Sequence, residues 1–264
     1  MSDDHHLTLR LARDERDLQA AQRLRYRVFV QEMGGDGDMV DHDRQLECDR
    51  LDPFFDHLLL VDERRDAALL DDVVGVYRLL PGERAAEAGG FYSANEFDLS
   101  ALHRSGRRLL ELGRSCVHAD HRGGMAMIRL WNGLADYVMS RDIDILFGPA
   151  SFHGTDAAIL AQPLSFLHHN HLAPTELRVT AQGGEFQRME LLDADHVDRR
   201  AAMLAIPPLI KAYLRLGGCV GDGAWIDRAF NTTDVCLVMD TARMSDKQRD
   251  FYTRKVKVDE LAGK

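Results

Sequence analysis

The stretch from Glu111 to Ser140 constrains the fold most. Glu111-Leu-Gly-Arg-Ser-Cys-Val117 reads as part of a strand that starts at Leu109. His118-Ala-Asp-His-Arg-Gly-Gly124 follows as a polar loop, then a helix over about 126–140 and a strand over Ile143–Gly148. Such a strand–loop–helix–strand unit aims a helix N-terminus and its unpaired N–H groups at an anion, with Arg122 beside them. The same loop also reads as an ordinary strand-to-helix turn, because Gly123-Gly124 alone is a weak signal. Glu111 and Arg114 lie three apart on the strand and so point to opposite faces, unless the strand is bulged. A bulge would bring both to one cleft and turn a backbone N–H toward a ligand. Without one they read as a structural ion pair.

Around this unit the pattern is α/β. Leu7–Ala12 reads as a strand, and a helix from Asp14 or Glu15 runs to about Glu32, where Gly34-Gly35 stops it. An irregular acidic loop extends to Phe55. His57–Val61 and Val73–Leu80 read as paired strands, and 82–106 as loop with a helical piece near Leu99. Beyond Pro149 a helix is predicted from about Thr155 to Leu172, a short strand over Leu177–Thr180, and helix over Asp195–Leu216 broken at Pro207-Pro208. Val220–Ile226 and Val235–Met239 complete the strands. One domain over 1–264 is expected, with its core at about 7–240 and a charged surface helix in the tail from Ser245.

Net charge is −10, which argues against general nucleic-acid binding. The charge is unevenly spread. Residues 36–56 hold eight acids against two arginines, and 104–129 hold six arginines against Glu111 and Asp120. One segment suits a cation and the other an anion, although both also read as solvated loops. Asp36-Gly-Asp38-Met-Val-Asp41 lacks the ligand alternation of a calcium loop. His168-His169-x-His171 reads as helix-end histidines, since neighbours on a helix point about 100° apart and no nearby carboxylate is expected to complete a metal set. The four cysteines form no C-x-x-C pair and read as buried thiols, so no metal site is expected. No apolar run reaches the ~18 residues of a membrane span. The N-terminus lacks the basic and apolar regions of a signal peptide, so a cytoplasmic location is expected. Residues 208–216 place Leu209, Ile210, Tyr213 and Leu214 opposite Lys211 and Arg215. That is a core helix, or one lying on an anionic membrane surface.

Together these residues resemble a known superfamily. His121-Arg-Gly-Gly124-Met-Ala126 is similar to motif A of the GCN5-related N-acetyltransferases (GNAT), with His in place of the usual Gln or Arg. Arg25-x-x-x-Phe29, Glu47-x-Asp49-x-x-Asp52, Arg78 and Glu111-x-x-Arg114 have the order and spacing of the N-acylhomoserine lactone synthases, without the Trp usual after the Phe. Ala150–Asp156, Pro207–Gly217, Val220–Ala224 and Thr232–Val235 instead resemble the bacterial L-ornithine Nα-acyltransferases, over roughly Leu7 to Asp240.

The resemblance implies a GNAT-like fold, a mixed central sheet with splayed central strands flanked by helices. It also implies transfer of a 3-hydroxyacyl group from acyl carrier protein to the α-amine of L-ornithine, with no cofactor beyond the carrier's phosphopantetheine. Under it, Glu111 is the expected base, directly or through a water, beside Arg114, and burial would raise its pKa. A backbone N–H at the bulge would hold the oxyanion. Val117, His121, Arg122, Gly123, Gly124 and Ala126 would hold the donor's phosphopantetheine. Glu47, Asp49 and Asp52 would hold the side-chain ammonium, Arg25 or Arg78 the carboxylate, with Phe29 beside them; Arg25, Arg78 and Arg114 also read as structural salt-bridge partners. Arg104, Arg107, Arg108, Arg122 and Arg129 would meet the carrier, and 208–216 would touch the inner membrane peripherally.

Overall fold

The computed structural model describes residues 6–123 and 125–244. β1 (Leu7–Leu11) leads into α1 (Glu15–Arg25), which Asp14 caps by accepting the Asp17 N–H. The expected single helix to Glu32 in fact widens into π turns over Tyr26–Glu32. The acidic stretch is not wholly irregular, because β2 (Val40–Asp41) and β3 (Leu46–Glu47) pair within it. β4 (Asp56–Asp62) and β5 (Val73–Pro81) pair antiparallel, as the sequence predicts. Residues 82–106 hold more structure than expected: α2 (Gly82–Glu87), β6 (Phe97–Asp98) and α3 (Ser100–Arg104).

β7 (Leu109–Val117) and α4 (Ala126–Ser140) fall where the sequence places them. β8 (Ile145–His153) continues through Pro149 instead of ending at Gly148. α5 (Ala161–His171) therefore starts later than predicted. β9 (Thr180–Ala181) and β10 (Phe186–Gln187) are short. α6 (Arg199–Ala205) and α7 (Pro208–Arg215) split at the proline pair. β11 (Cys219–Asp227) and β12 (Thr232–Asp240) form a hairpin. The charged helix expected from Ser245, like Gly124, lies outside the described residues.

Ten strands form one mixed sheet in the order β1-β4-β5-β7-β8-β12-β11-β9-β6, with β10 on β11. The alternation of β4 shows how it is covered. Leu58 and Leu60 face Leu130 and Leu134 of α4, while Leu59 and Val61 face Ala20, Ala21 and Leu24 of α1. α5 and α7 join α4 in covering one face through Leu164, Leu167, Ile210 and Tyr213.

The centre of the sheet is where it opens. β7 and β8 run parallel but pair only at Leu109↔Ile145, Leu110↔Leu146 and Glu111↔Phe147, then separate. Gly148 sits at the crotch of this fork. A Cβ there would lie 2.1 Å from the Leu112 carbonyl oxygen, so no larger residue fits without moving backbone. This is the splay of central strands expected for a GNAT-like sheet.

Candidate active site

A cavity of about 440 Å3 occupies the fork. Its walls are Leu112–Val117 of β7 and Leu146–Ser151 of β8, closed by residues of the π turns, α7 and β12. The π turns matter here, because their wider winding brings Phe29, Glu32 and Met33 to the wall. One arm is apolar, lined by Leu146, Leu209, Tyr213, Leu237 and Met239. The other end is polar, with Tyr92, Arg114, Ser151, Asp227, Thr232 and Asp234.

β7 carries the expected bulge. Val76 pairs with Cys116 and Arg78 with Gly113, so β7 has one extra residue between those pairs. Arg114 takes φ +50°, a left-handed conformation that a non-glycine side chain adopts only under outside constraint. The extra residue restores Glu111 and Arg114 to the same side, and both reach Tyr92. Glu111 accepts the backbone N–H of Tyr92 at 2.8 Å and of Ser93 at 2.6 Å, together with the Ser93 hydroxyl. The Arg114 guanidinium lies 5.0 Å from the Tyr92 ring centre and 5.5 Å from that of Phe230.

Behind the cavity lies a buried charge network. Arg25 donates to Glu47 through Nε and to Asp52 at 2.8 Å. Arg78 donates to Asp49 at 2.6 Å and Asp52 at 2.9 Å, with its guanidinium 4.0 Å over the Phe55 ring. Arg114 Nε donates to Glu47 at 3.1 Å. Burial opposes the charge of Glu47 and of Asp52, but their cationic partners outweigh it. Arg25 and Arg114 hold Glu47 ionised well below the usual carboxylate range, and Arg25 and Arg78 do the same for Asp52. Three arginines from α1, β5 and β7 thus fasten three carboxylates of the acidic segment, and the network fixes Arg114 at the cavity wall.

The geometry revises several sequence expectations. Phe29, Arg114, Val117 and Arg122 line the cavity. Arg25, Glu47 and Asp52 are almost wholly inaccessible, and Arg78 is equally buried. With Asp49 they pair with one another, so they are not free to take an ammonium or carboxylate of a ligand. Glu111 is also fully buried, and both its oxygens are engaged by Tyr92 and Ser93. Burial raises its pKa and these hydrogen bonds partly offset that, but the side chain does not line the cavity. It positions Tyr92. His121 turns away to Asp62, 3.2 Å from its Nε2, and Ala126 packs into the core. Gly123 has φ +75°, which glycine adopts freely and which turns the chain into α4. Arg122 bonds the Val117 carbonyl and pairs with Glu32 at 2.6 Å.

Other charged segments also fall differently. Arg104, Arg107 and Arg108 lie before β7, at the end remote from the 118–126 loop, and nine residues of strand span roughly 30 Å. Arg107 is tied to Asp240 and Arg108 to Asp142. The apolar stripe of α7 faces inward, with Ile210 and Tyr213 buried and the Tyr213 hydroxyl 2.6 Å from that of Tyr77. That stripe is committed to the interior and is not a membrane face. A carboxylate does approach the histidine pair: ligand atoms of His168, His169 and Glu190 lie within 4.8 Å of one another. His169 is engaged by the Leu192 carbonyl and Glu190 by Arg188. Burial pushes the Cys116 thiol on the cavity wall far up, so it is no thiolate nucleophile at neutral pH.

Sequence reasoning missed Tyr92, Ser151, Asp227 and Asp234. Asp234 did carry a signal, as a lone acid in the apolar run Thr232-Thr-Asp-Val-Cys-Leu-Val-Met239.

Residues 24–132 match the acetyltransferase (GNAT) domain family. A protein of Rhodobacter capsulatus named L-ornithine N(alpha)-acyltransferase is 61% identical over 248 residues, 94% of this chain and 95% of its own length. This chain belongs to the L-ornithine Nα-acyltransferase family. A relative of the same name from Brucella abortus is 43% identical over 93% of this chain and 88% of its own length. Among solved structures, a CoA-dependent acyl-homoserine lactone synthase, BjaI, with MTA, superposes with a TM-score of 0.50 at 16% identity, covering 91% of this chain and 82% of that one. It shows the fold. As a member of the L-ornithine Nα-acyltransferase family, the chain is an N-acyltransferase with a GNAT fold. No helix of the described residues is long and apolar enough to cross a membrane.

Proposed function

We propose that this N-acyltransferase moves a 3-hydroxyacyl group from acyl carrier protein to the α-amine of L-ornithine, giving lyso-ornithine lipid. The observation that carries the reading is the two-ended cavity in the fork. Its apolar arm suits an acyl chain, and its polar end, with Arg114 on the wall, suits an amino acid. Relatives that share most of the chain are named L-ornithine N(alpha)-acyltransferase, which supports the acceptor and the amine acylated.

The mechanism follows from the same geometry. The thioester carbonyl lies at the junction of the two ends, beside β7. Past Glu111 that strand has no partner on the β8 side, so its edge N–H groups meet the oxyanion as the amine attacks. The α-ammonium first releases one proton to solvent; the neutral amine then attacks, the C–N bond forms, the C–S bond breaks, and the second proton ends on the carrier's thiolate. Arg114, held charged by Glu47, takes the ornithine carboxylate. Glu111 acts through Tyr92 by fixing its ring against that arginine.

A carrier-bound donor fits the loop better than free coenzyme A. Arg122 is already paired with Glu32, and His121 with Asp62, which leaves little positive charge for the several phosphates of coenzyme A. The reading needs no cofactor on this chain, since the donor brings its own phosphopantetheine. The purified protein with L-ornithine is therefore expected to form acyl-ornithine, detected by mass spectrometry, from 3-hydroxyacyl carrier protein in preference to 3-hydroxyacyl coenzyme A. Equal use of both donors overturns the carrier assignment. No acyl-ornithine from either overturns the function.

A further inference from the structure

The polar end of the cavity contains carboxylates that no cation among the described residues pairs with directly. Asp234 of β12 is 5% exposed, lines the cavity, and its Oδ1 has no hydrogen-bond partner among the described residues. Asp227 of β11 lines the same wall and accepts the Phe230 N–H at 3.0 Å. Glu96, just before β6, does not line the cavity but is near enough to Asp234 and Asp227 to feel their charge; it is 3% exposed, and its Oε2 is likewise unpartnered among the described residues. A buried, unpaired carboxylate is costly, and an orphaned acceptor facing a cavity is relieved by a donor that enters it.

The neighbouring cation does not supply that donor. Arg114 is bonded to Glu47 and lies against the Tyr92 ring. Electrostatics agree with the geometry. Burial pushes Asp234 up to about 6, with Asp227 adding to the rise and the Ser151 and Thr232 hydroxyls and Arg114 opposing it. Glu96 is raised by burial first and then by Asp234 and Asp227. The carboxylates destabilise one another in the absence of a cation.

We infer that Asp234, with Asp227 and Glu96 around it, seats the side-chain ammonium of a diamino-acid acceptor and sets the preference for such amines over neutral amino acids. This rests on the ornithine reading above and moves its ammonium contact from the Glu47–Asp52 segment to β11 and β12. The zwitterionic head meets Arg114, and the distal ammonium, with three N–H donors, meets Asp234. A site built around a charged hydrogen bond rejects a ligand that lacks it, because its own groups are then left unpaired.

The test compares L-ornithine with L-norvaline, which has the same five carbons and no side-chain amine. The acyl donor is whichever one supports wild-type turnover. Wild-type kcat/KM is expected to favour ornithine by about 100-fold or more, as for sites that read a polar substrate group. Asp234→Asn is expected to cut that ratio at least roughly tenfold, with most of the loss in KM for ornithine. An intact ratio, or an equal loss for both amines, overturns the inference. An equal loss would place Asp234 at the shared α-amine. Asp227→Asn carries the same expectation should Asp234→Asn fail to fold. Calorimetric binding to the wild type needs no variant, and equal affinity for the two amines also overturns the subsite. A wild-type protein that acylates norvaline as well as ornithine rejects the subsite alone, whereas one that acylates neither rejects the ornithine reading and the subsite with it.

Discussion

Arg25 and Glu111 show how similar motif residues differ in their work. Arg25 is inaccessible and holds two carboxylates, so removing it leaves buried Glu47 with Arg114 as its one ion-pair partner and buried Asp52 with Arg78, among the described residues. Arg25→Met is expected to destabilise the fold by about 3–5 kcal/mol, read from the urea midpoint. A stability near that of the wild type would mean the network is not what holds the acidic segment. Glu111→Gln exchanges an acceptor for a group that is half donor, facing two backbone N–H groups. A loss of about 1–3 kcal/mol is expected, with the pH dependence of turnover kept. If instead an ionisation limb vanished from the pH profile, Glu111 would be the base after all. The sequence identified Arg25, Glu47, Asp49, Asp52 and Arg78 as acting together. It could not say with whom, because a carboxylate reads the same whether it faces a ligand's ammonium or a guanidinium of its own chain. Asp234 was harder still, since its meaning comes from an orphaned oxygen that only packing reveals.

Elements were read more easily than contacts. β7 and α4 match the sequence periodicity because each has a sharp boundary, Gly106 before the strand and Arg141 after the helix. The spacing of Glu111 and Arg114 left two readings, a bulge or a structural ion pair; the register shows the bulge, but of the two only Arg114 lines the cavity. β8 was cut short because proline usually ends a strand. Pro149 survives there because β8 has no partner strand on the fork side, so a missing N–H breaks no ladder bond on that edge. The crotch of the fork gives a direct test. Gly148→Ala must displace the Leu112 backbone, and overpacking of this kind costs about 1–3 kcal/mol. A lowered melting temperature together with weakened acyl transfer is expected. An unchanged protein would show that the strands part without needing this close approach.

For the molecule as a whole, stability should depend on acidity in a defined direction. Glu47, Asp52 and Asp62 all have folded-state pKa values below their ordinary ones. Burial opposes their charge, while Arg25 for Glu47 and Asp52, and Arg64 for Asp62, more than compensate. Their stabilisation is complete above the unfolded carboxylate range. It is lost as pH falls below about 4, where the unfolded chain takes up protons first. Asp234 and Glu96 are shifted upward and so are already protonated in the folded state there; their opposite contribution is used up once the unfolded chain has taken up its own protons, and it does not offset the loss at lower pH. Chemical denaturation at stepped pH should therefore show the unfolding free energy falling steadily below about pH 4. A flat profile would mean the buried carboxylates ionise as they do in water.

Three residue pairs join four strands on one side of the sheet to six on the other. Backbone hydrogen bonding therefore makes the molecule nearly two half-sheets with a narrow seam. Under the proposed function, an acyl chain lying in the gap would touch both halves and supply side-to-side cohesion the ladder lacks, so occupancy of the gap would add to the fold's stability. Bound long-chain donor should slow amide exchange on both flanks at once, in β7 and in β8–β12. Protection confined to one flank would mean that the halves do not share the ligand. In this sense the substrate's tail serves as a temporary strand of the protein that carries it.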